Sequence, residues 1–300
     1  MRAASITTLG ESPVVADVEA PAAGEDEVLV AVEAVALNPL DLSVGRGSFY
    51  GGHPPLPYSP GCEAAGRLDD GSLVYLFGAG RGTAVSGFLA EQVSVPRALP
   101  LRLPDGTDPA VAAGLGIAGI AGWVPVAWRA RIAPHDRVLV LGATGTVGRV
   151  ALQAARVLGA GTAVGASRTP AEGVVGLDEI GDAFGGDGFT VCIDPLWGEP
   201  LAAALAFAAP GARIVHLGQS AGAEAPLRSA DVRGKQLEIL GHSNFGLTAD
   251  ERNQAYLELL EHVRAGRIDL ALETYPLDRV DEAWARQGTP GRGKVVVTLP

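Results

Sequence analysis

Hydrophobic and polar positions change their period along this chain. From Glu27 to Val35 (EVLVAVEAV) apolar residues alternate with others, the two-residue period of a half-buried strand. Short apolar segments bounded by glycine and proline follow, and Gly71 to Phe77 and Gly87 to Val95 read as further strands. The amino-terminal part is therefore expected to be antiparallel β. Asn38, Pro39 and Asp41 predict a helix start, with Asn38 as cap, Pro39 in the first helical position and Asp41 favouring the positive end. Gly45 to Pro60, rich in glycine, proline and aromatics, predicts a long irregular loop of the kind that borders a site.

From about Pro109 strands and helices alternate. Asp108 and Pro109 predict a capped helix start, and the uncharged run Ala110 to Trp128, broken by glycines and Pro125, reads as a buried helix and turn rather than a membrane span. Val138 to Leu141 is a continuous apolar run, the pattern of a parallel strand covered on both faces. Thr162 to Ser167, Thr190 to Asp194, Arg213 to Leu217 and Gln236 to Gly241 predict companion strands, with a helix over Pro200 to Ala209. Asp250 to Ala265 is an amphipathic helix, and Val295 to Leu299 a closing strand.

The chemistry concentrates where the first of those parallel strands ends. Ala143, Gly145 and Gly148 fall at the spacing of a G-x-G-x-x-G turn with alanine in first place, between strand and helix. Such a turn brings backbone close to a pyrophosphate and sets it at a helix N-terminus. Ala143, Thr144, Gly145, Thr146, Val147 and Gly148 are thus the candidate dinucleotide-binding turn. Alanine is tolerated there only if its backbone need not take a positive φ. Gly114, Gly116 and Gly119 have the same spacing, but no strand precedes them, so that match is rejected. The fold class is α/β, a Rossmann-type doubly wound parallel sheet beside a β-rich domain. Between Arg168 and Thr190 the chain is too short and glycine-rich for the helix, strand and second helix of a full half, so the sheet is expected to be abbreviated.

The second parallel strand ends Gly165, Ala166, Ser167, Arg168. An acid there would hydrogen-bond the ribose of NAD; here no carboxylate repels a 2′-phosphate, and the Arg168 guanidinium can bind one. NADPH is the cofactor this predicts, with Ser167 and Arg168 in contact with it.

Composition narrows the partners. The 300 residues are 47% hydrophobic and carry a net charge of -11, which argues against nucleic acid and anionic membranes. Cys62 and Cys192 are far apart, as in a reducing compartment, and MRAASITTLGESP has no signal-peptide core, so a cytoplasmic protein is expected.

The order of landmarks is itself informative: ALNPLDLSVGRG, PYSPGCEAAG, GATGTVG, VCIDPLWG, IVHLGQ and a final GRGKVVV. In this order they resemble the medium-chain dehydrogenase/reductase superfamily, specifically its zinc-independent quinone oxidoreductase (zeta-crystallin-like) branch. The resemblance implies a GroES-like catalytic domain built from both chain ends (1–108 and 247–300), a Rossmann domain at 109–246, a nicotinamide cofactor in the cleft between them, and a homodimer. It also implies cofactor contacts from Asp194, Gly218, Asn244, Phe245 and Lys294.

Zinc relatives carry a cysteine at the first catalytic helix and a Gly-His-Glu motif. This chain has Asn38 to Asp41 without cysteine and reads Gly61, Cys62, Glu63, so no metal is expected. The implied reaction is hydride transfer from NADPH to a small quinone or α,β-unsaturated carbonyl, with Asn38 or Tyr50 as candidate catalytic side chains. Phe49 stands where many relatives have a proton-donating tyrosine, and Ala121 where they have a threonine. His216, at a strand end, reads equally as a satisfied imidazole or an acid. A carbonyl or alcohol dehydrogenase, or a non-catalytic NADPH-binding sensor or structural protein, are the competing readings.

Overall fold

The computed structural model describes residues 1–289 and 293–300. Gly291 and Arg292 of the closing motif lie outside the described residues. The chain forms two compact units, Met1–Ile117 with Leu270–Pro300, and Ala118–Asp269. The divisions fall later than the expected 108/109 and 246/247.

The first unit opens with β1 (Arg2–Ser5) and β2 (Val14–Asp17), an antiparallel pair. β3 (Glu27–Ala36), α1 (Pro39–Gly45), β4 (Glu63–Arg67), β5 (Leu73–Phe77), β6 (Gln92–Pro96), β7 (Leu101–Arg102) and α2 (Pro109–Leu115) follow. The Asp108 carboxylate accepts the Val111 N–H at 2.9 Å, so α2 is capped as its sequence indicates. Asn38 holds the cap position of α1 but turns its amide away. Instead the Asp41 carboxylate reaches back to the Asn38 N–H at 2.7 Å.

After α3 (Ile117–Val124), the second unit alternates strand and helix through β8 (Arg137–Leu141), α4 (Thr146–Val157), β9 (Thr162–Ala166), β10 (Val174–Val175) and α5 (Ile180–Ala183). It continues through β11 (Phe189–Asp194), α6 (Gly198–Ala204), β12 (Ala208–His216), α7 (Ser229–Gly234), β13 (Glu238–Gly241) and α8 (Ala249–Arg264). Every strand pair in this sheet is parallel, in the order β10-β9-β8-β11-β12-β13. That is the doubly wound order, and its reversal lies beside β8.

The expected abbreviation is real but local. All six positions of the order are filled, while β10 has only two residues and is reached from β9 by a short turn, 167–173, in place of a helix. β12 begins earlier than its sequence suggests, at Ala208, directly after α6 ends at Ala204 and a 3-10 turn runs over Leu205–Phe207.

Helix α8 belongs with this unit because its apolar face (Ala255, Tyr256, Leu259, Leu260) is buried and its Glu258 Oε2 accepts the indole N–H groups of both Trp123 and Trp128 at 3.1 Å. The chain then returns to the first unit as β14 (Leu272–Pro276), α9 (Val280–Gln287) and β15 (Lys294–Thr298). There β15 slots between β14 and β3 in the order β14-β15-β3-β4-β5-β7, with β6 on the remaining part of β3. Among the described residues no single helix is long and apolar enough to cross a membrane.

Close packing of α4 on β8 fixes the turn between them. Gly142 takes the positive φ of +61°, and Ala143 is not among the positive-φ residues, which is why alanine can stand in the first place of the motif. A Cβ at Gly148 would overlap the Gly142 carbonyl and stand 2.8 Å from Ala143 Cα. Replacing Gly148 by alanine gains about 1 kcal/mol of helix propensity, but the clash with rigid backbone costs about 1–3 kcal/mol. Gly148→Ala is therefore expected to lower the urea midpoint. Gly234→Ala, on a helix with nothing within 4 Å of the new methyl, is expected to raise it. Equal midpoints for the two variants would contradict this packing.

Candidate functional site

In the second unit, the Gly142 to Gly148 turn leaves the first turn of α4 without a side-chain cap, so the N–H groups of Thr146, Val147 and Gly148 have no intrahelical partner. They form an uncapped, positively polarised helix end, suited to a phosphate. Thr144 and Ser167 meet across this turn, Oγ1 to Oγ at 3.2 Å, and the Ser167 N–H is held by Val175 O at 3.0 Å. Arg168, the next residue, is exposed and makes no ion pair among the described residues.

The carboxyl ends of the neighbouring strands carry a second group. Asp194, fully buried, accepts the N–H groups of Leu196 and Trp197 on Oδ1 at 2.9 and 3.0 Å, while its Oδ2 lies 3.1 Å from His216 Nδ1. Burial pushes the Asp194 carboxyl up, and the two backbone N–H groups and the imidazole pull it back. Both oxygens are thus occupied within the protein. The Trp197 ring lies against His216, centroids 4.2 Å apart, on a backbone at φ 58°, ψ -163°. That region is essentially a glycine conformation and costs about 1–3 kcal/mol for other residues.

Gly218 is required where the loops after β11 and β12 converge, since a Cβ there would come 2.7 Å from Pro195 O. Asn244 Oδ1 lies 3.1 Å from His242 Nε2, and Phe245 is 61% exposed beside it. Asp194 and Gly218, expected by resemblance to contact a cofactor, both lie at these strand ends, whereas the Asp194–His216 pair and the strained Trp197 had no place in the expectation. The signal was an acid and a histidine ending two strands that lie side by side.

The first unit holds a buried charge network. β15 runs antiparallel to β3 with Val296 opposite Ala36, and Ala36 is opposite Glu63 on β4. This register sets Lys294 against Asn38, with Glu63 on the next strand. The Lys294 ammonium, 3% exposed as a residue, donates to Leu37 O at 2.9 Å and Asn38 Oδ1 at 2.5 Å and lies 3.3 Å from Glu63 Oε1. Asn38 Nδ2 donates to Glu63 Oε1 at 2.8 Å and to Ala36 O at 3.4 Å. The other Glu63 oxygen accepts from Tyr75 Oη at 2.9 Å and from the Ile117 N–H at 2.5 Å.

A side chain at Gly116 would collide with Tyr75 Oη and Glu63 Oε2, so the second glycine-rich stretch serves this network rather than a phosphate. Lys294 and Asn38, candidates for cofactor and substrate, are both engaged here. Tyr50 is 90% exposed, its ring 4.5 Å from that of Phe49.

Beside the network, Asp41 accepts the Cys62 N–H at 2.9 Å in addition to that of Asn38. Burial pushes its carboxyl up, against the pull of these donors. Burial, reinforced by the field of Asp41, also pushes the Cys62 thiol far up, and Tyr58, chiefly by burial, is pushed up to about 12. The described residues contain no group of three or more His, Cys, Asp and Glu side chains able to hold a metal. Burial disfavours the Cys62 thiolate, the Asp41 oxygens take backbone N–H groups, and Glu63 already faces a cation. A zinc ion does not fit this donor set.

A doubly wound sheet with an open glycine turn beside its reversal point defines a nicotinamide-dinucleotide-binding fold. Residues 158–297 match the zinc-binding dehydrogenase family and residues 24–105 the alcohol dehydrogenase GroES-like domain. The quinone oxidoreductase of Lama guanicoe is 29% identical, covering 100% of this chain and 98% of the relative. A crystal structure described as an NAD-dependent alcohol dehydrogenase superposes with a TM-score of 0.88 at 25% identity over 100% of both chains. The quinone oxidoreductase from Thermus thermophilus, solved also in complex with NADPH, gives 0.83 at 26%, again over 100% of both. The chain belongs to the medium-chain dehydrogenase/reductase superfamily and is an oxidoreductase.

Removing one member of the buried pair leaves the other charge uncompensated. Lys294→Met is expected to cost about 3–5 kcal/mol in urea unfolding, with partial recovery on adding Glu63→Gln. A loss below about 1 kcal/mol for the single variant would show that the ammonium is not buried as described. Burial also holds the Cys192 thiol well above its ordinary value. Iodoacetamide at about pH 8 should therefore leave Cys62 and Cys192 unmodified in the folded protein and label both in urea.

Proposed function

We propose that this protein is an NADPH-dependent, zinc-independent reductase of a quinone or an α,β-unsaturated carbonyl. The observation that carries the reading is the end of β9. Ser167 faces the glycine turn through Thr144, Arg168 stands exposed beside it, and no carboxylate occupies the place where an NAD enzyme would present one. The NADPH complex of the Thermus relative supports the same choice.

In this reading the N–H groups of Thr146 to Gly148 and the α4 dipole hold the diphosphate, while Ser167 and Arg168 hold the 2′-phosphate. Bound cofactor supplies the hydride. The chain's share is to orient cofactor and acceptor, to exclude water and to meet negative charge developing on the acceptor oxygen. Lys294 and Glu63 take up the Asn38 amide, which assigns Asn38 to supporting that architecture and leaves backbone N–H groups to face the oxygen.

A carbonyl or alcohol dehydrogenase is the second reading, favoured by the likeness to the structure described as an NAD-dependent alcohol dehydrogenase. The absence of a zinc-competent donor set among the described residues counts against its metal-dependent form.

Calorimetric titration with NADPH and NADH tests the cofactor. A charge-assisted bond of about 1.5–3 kcal/mol predicts that Arg168→Ala weakens NADPH binding roughly 10- to 100-fold and leaves NADH unchanged. NADPH oxidation is then expected with at least one quinone or enone. Equal affinity for the two nucleotides in the parent protein would refute the assignment.

A further inference from the structure

We propose that His216 is a binding residue for the nicotinamide half of the dinucleotide, accepting a hydrogen bond from a ribose hydroxyl, with Asp194 as the positioning residue that fixes its tautomer. This rests on the reading that the chain binds NADPH at the carboxyl ends of β8 and β9.

Position comes from strand order. The adenosine ribose of a dinucleotide lies at the end of the second strand, here β9, and the diphosphate crosses the turn after β8. The remaining half must then extend over β11 and β12, on the other side of the reversal. Asp194 and His216 are register partners at the ends of these two strands. Adjacent strands lie about 4.8 Å apart, which puts His216 roughly 10 Å from β8, within reach of a ribose attached to that diphosphate.

Chemistry comes from the pair itself. Oδ1 of Asp194 takes two backbone N–H groups and Oδ2 faces Nδ1 of His216, an arrangement of donors around an ionised carboxylate. Nδ1 is accordingly assigned the proton, and in the neutral ring Nε2 keeps its lone pair. Nε2 has no hydrogen-bond partner among the described residues. Tyr58 Oη is the one side-chain polar atom there that is both buried and unpartnered, so Nε2 opens on solvent. A bare imidazole nitrogen held in a fixed direction is an acceptor for a hydroxyl.

Trp197 gives the second, independent observation. Glycine would adopt φ 58°, ψ -163° freely, yet this position carries the largest side chain, its N–H tied to Asp194 and its ring against the imidazole. The turn is strained where the indole fixes the plane of His216.

His216→Asn separates this role from a merely structural one, because the Asn amide N–H can replace Nδ1–H toward Asp194 while Nε2 is lost. The expected result is NADPH binding weakened about tenfold, the value of one hydrogen bond, in a variant that keeps a cooperative thermal transition. Adenosine 2′,5′-bisphosphate, which carries only the adenine half, should bind His216→Asn and the parent protein equally. Unaltered NADPH affinity, or an equal loss of both ligands, overturns the proposal.

If the parent protein binds neither ligand, the cofactor reading itself falls and this proposal with it. Nitrogen-15 NMR of labelled histidine supplies a readout that packing alone would not move. His216 should show a protonated Nδ1 and a bare Nε2 in the parent protein, and should shift toward the Nε2–H tautomer in Asp194→Asn. A parent spectrum with Nε2–H overturns the assignment.

Discussion

The ammonium of Lys294, buried at the junction of β15, β3 and β4, is the constraint on which the first unit depends. A charge removed from water is tolerated only where oppositely charged and polar groups surround it. Here a carboxylate, a carbonyl and an amide oxygen do so. From the closing strand it reaches partners far away in sequence: the entry to α1, the start of β4 and, through Glu63, Tyr75 and Ile117. The unit therefore closes only when the last strand arrives between β14 and β3 in one register. A slip of one residue would turn Lys294 to the opposite face of the sheet and leave Glu63 without its cation.

The same network accounts for the chemistry of this corner of the fold. Glu63, Asp41 and Cys62 are residue types that ligate metals, but the oxygens of both carboxylates are already engaged within the protein and burial disfavours the thiolate. Glu63 is paired with an ammonium, Asp41 is held by backbone donors, and burial raises the Cys62 thiol above its ordinary value. The second unit uses a different device. Backbone approaches backbone so closely at Gly148 that only glycine fits, and the resulting turn presents free N–H groups instead of side chains. One unit thus keeps its charges inside, while the other exposes unpaired dipoles where a phosphate would sit.

Much of the second unit was legible in the sequence because its signals are local. The apolar run of β8, the glycine spacing after it and the amphipathic period of α8 each lie within one segment, and each appears close to where the pattern places it. Boundaries moved where packing overruled propensity: β12 starts at Ala208, and α8 belongs to the dinucleotide-binding unit because Glu258 joins it to Trp123 and Trp128. The second glycine-rich stretch runs from α2 into α3 with no strand leading into it. Its actual purpose, clearance for Tyr75 and Glu63 at Gly116, has no local signal.

The sequence by itself determined the α/β class, the glycine turn between β8 and α4 and the basic, carboxylate-free end of β9, because periodicity and short motifs are properties of consecutive residues. Only the tertiary structure decided which side chains meet. It buried Lys294 and Asn38 in one network, left Tyr50 at the surface and paired His216 with Asp194 beneath a strained tryptophan. Strand register and order govern those meetings, and both follow from how whole faces are buried together rather than from any stretch of chain read alone.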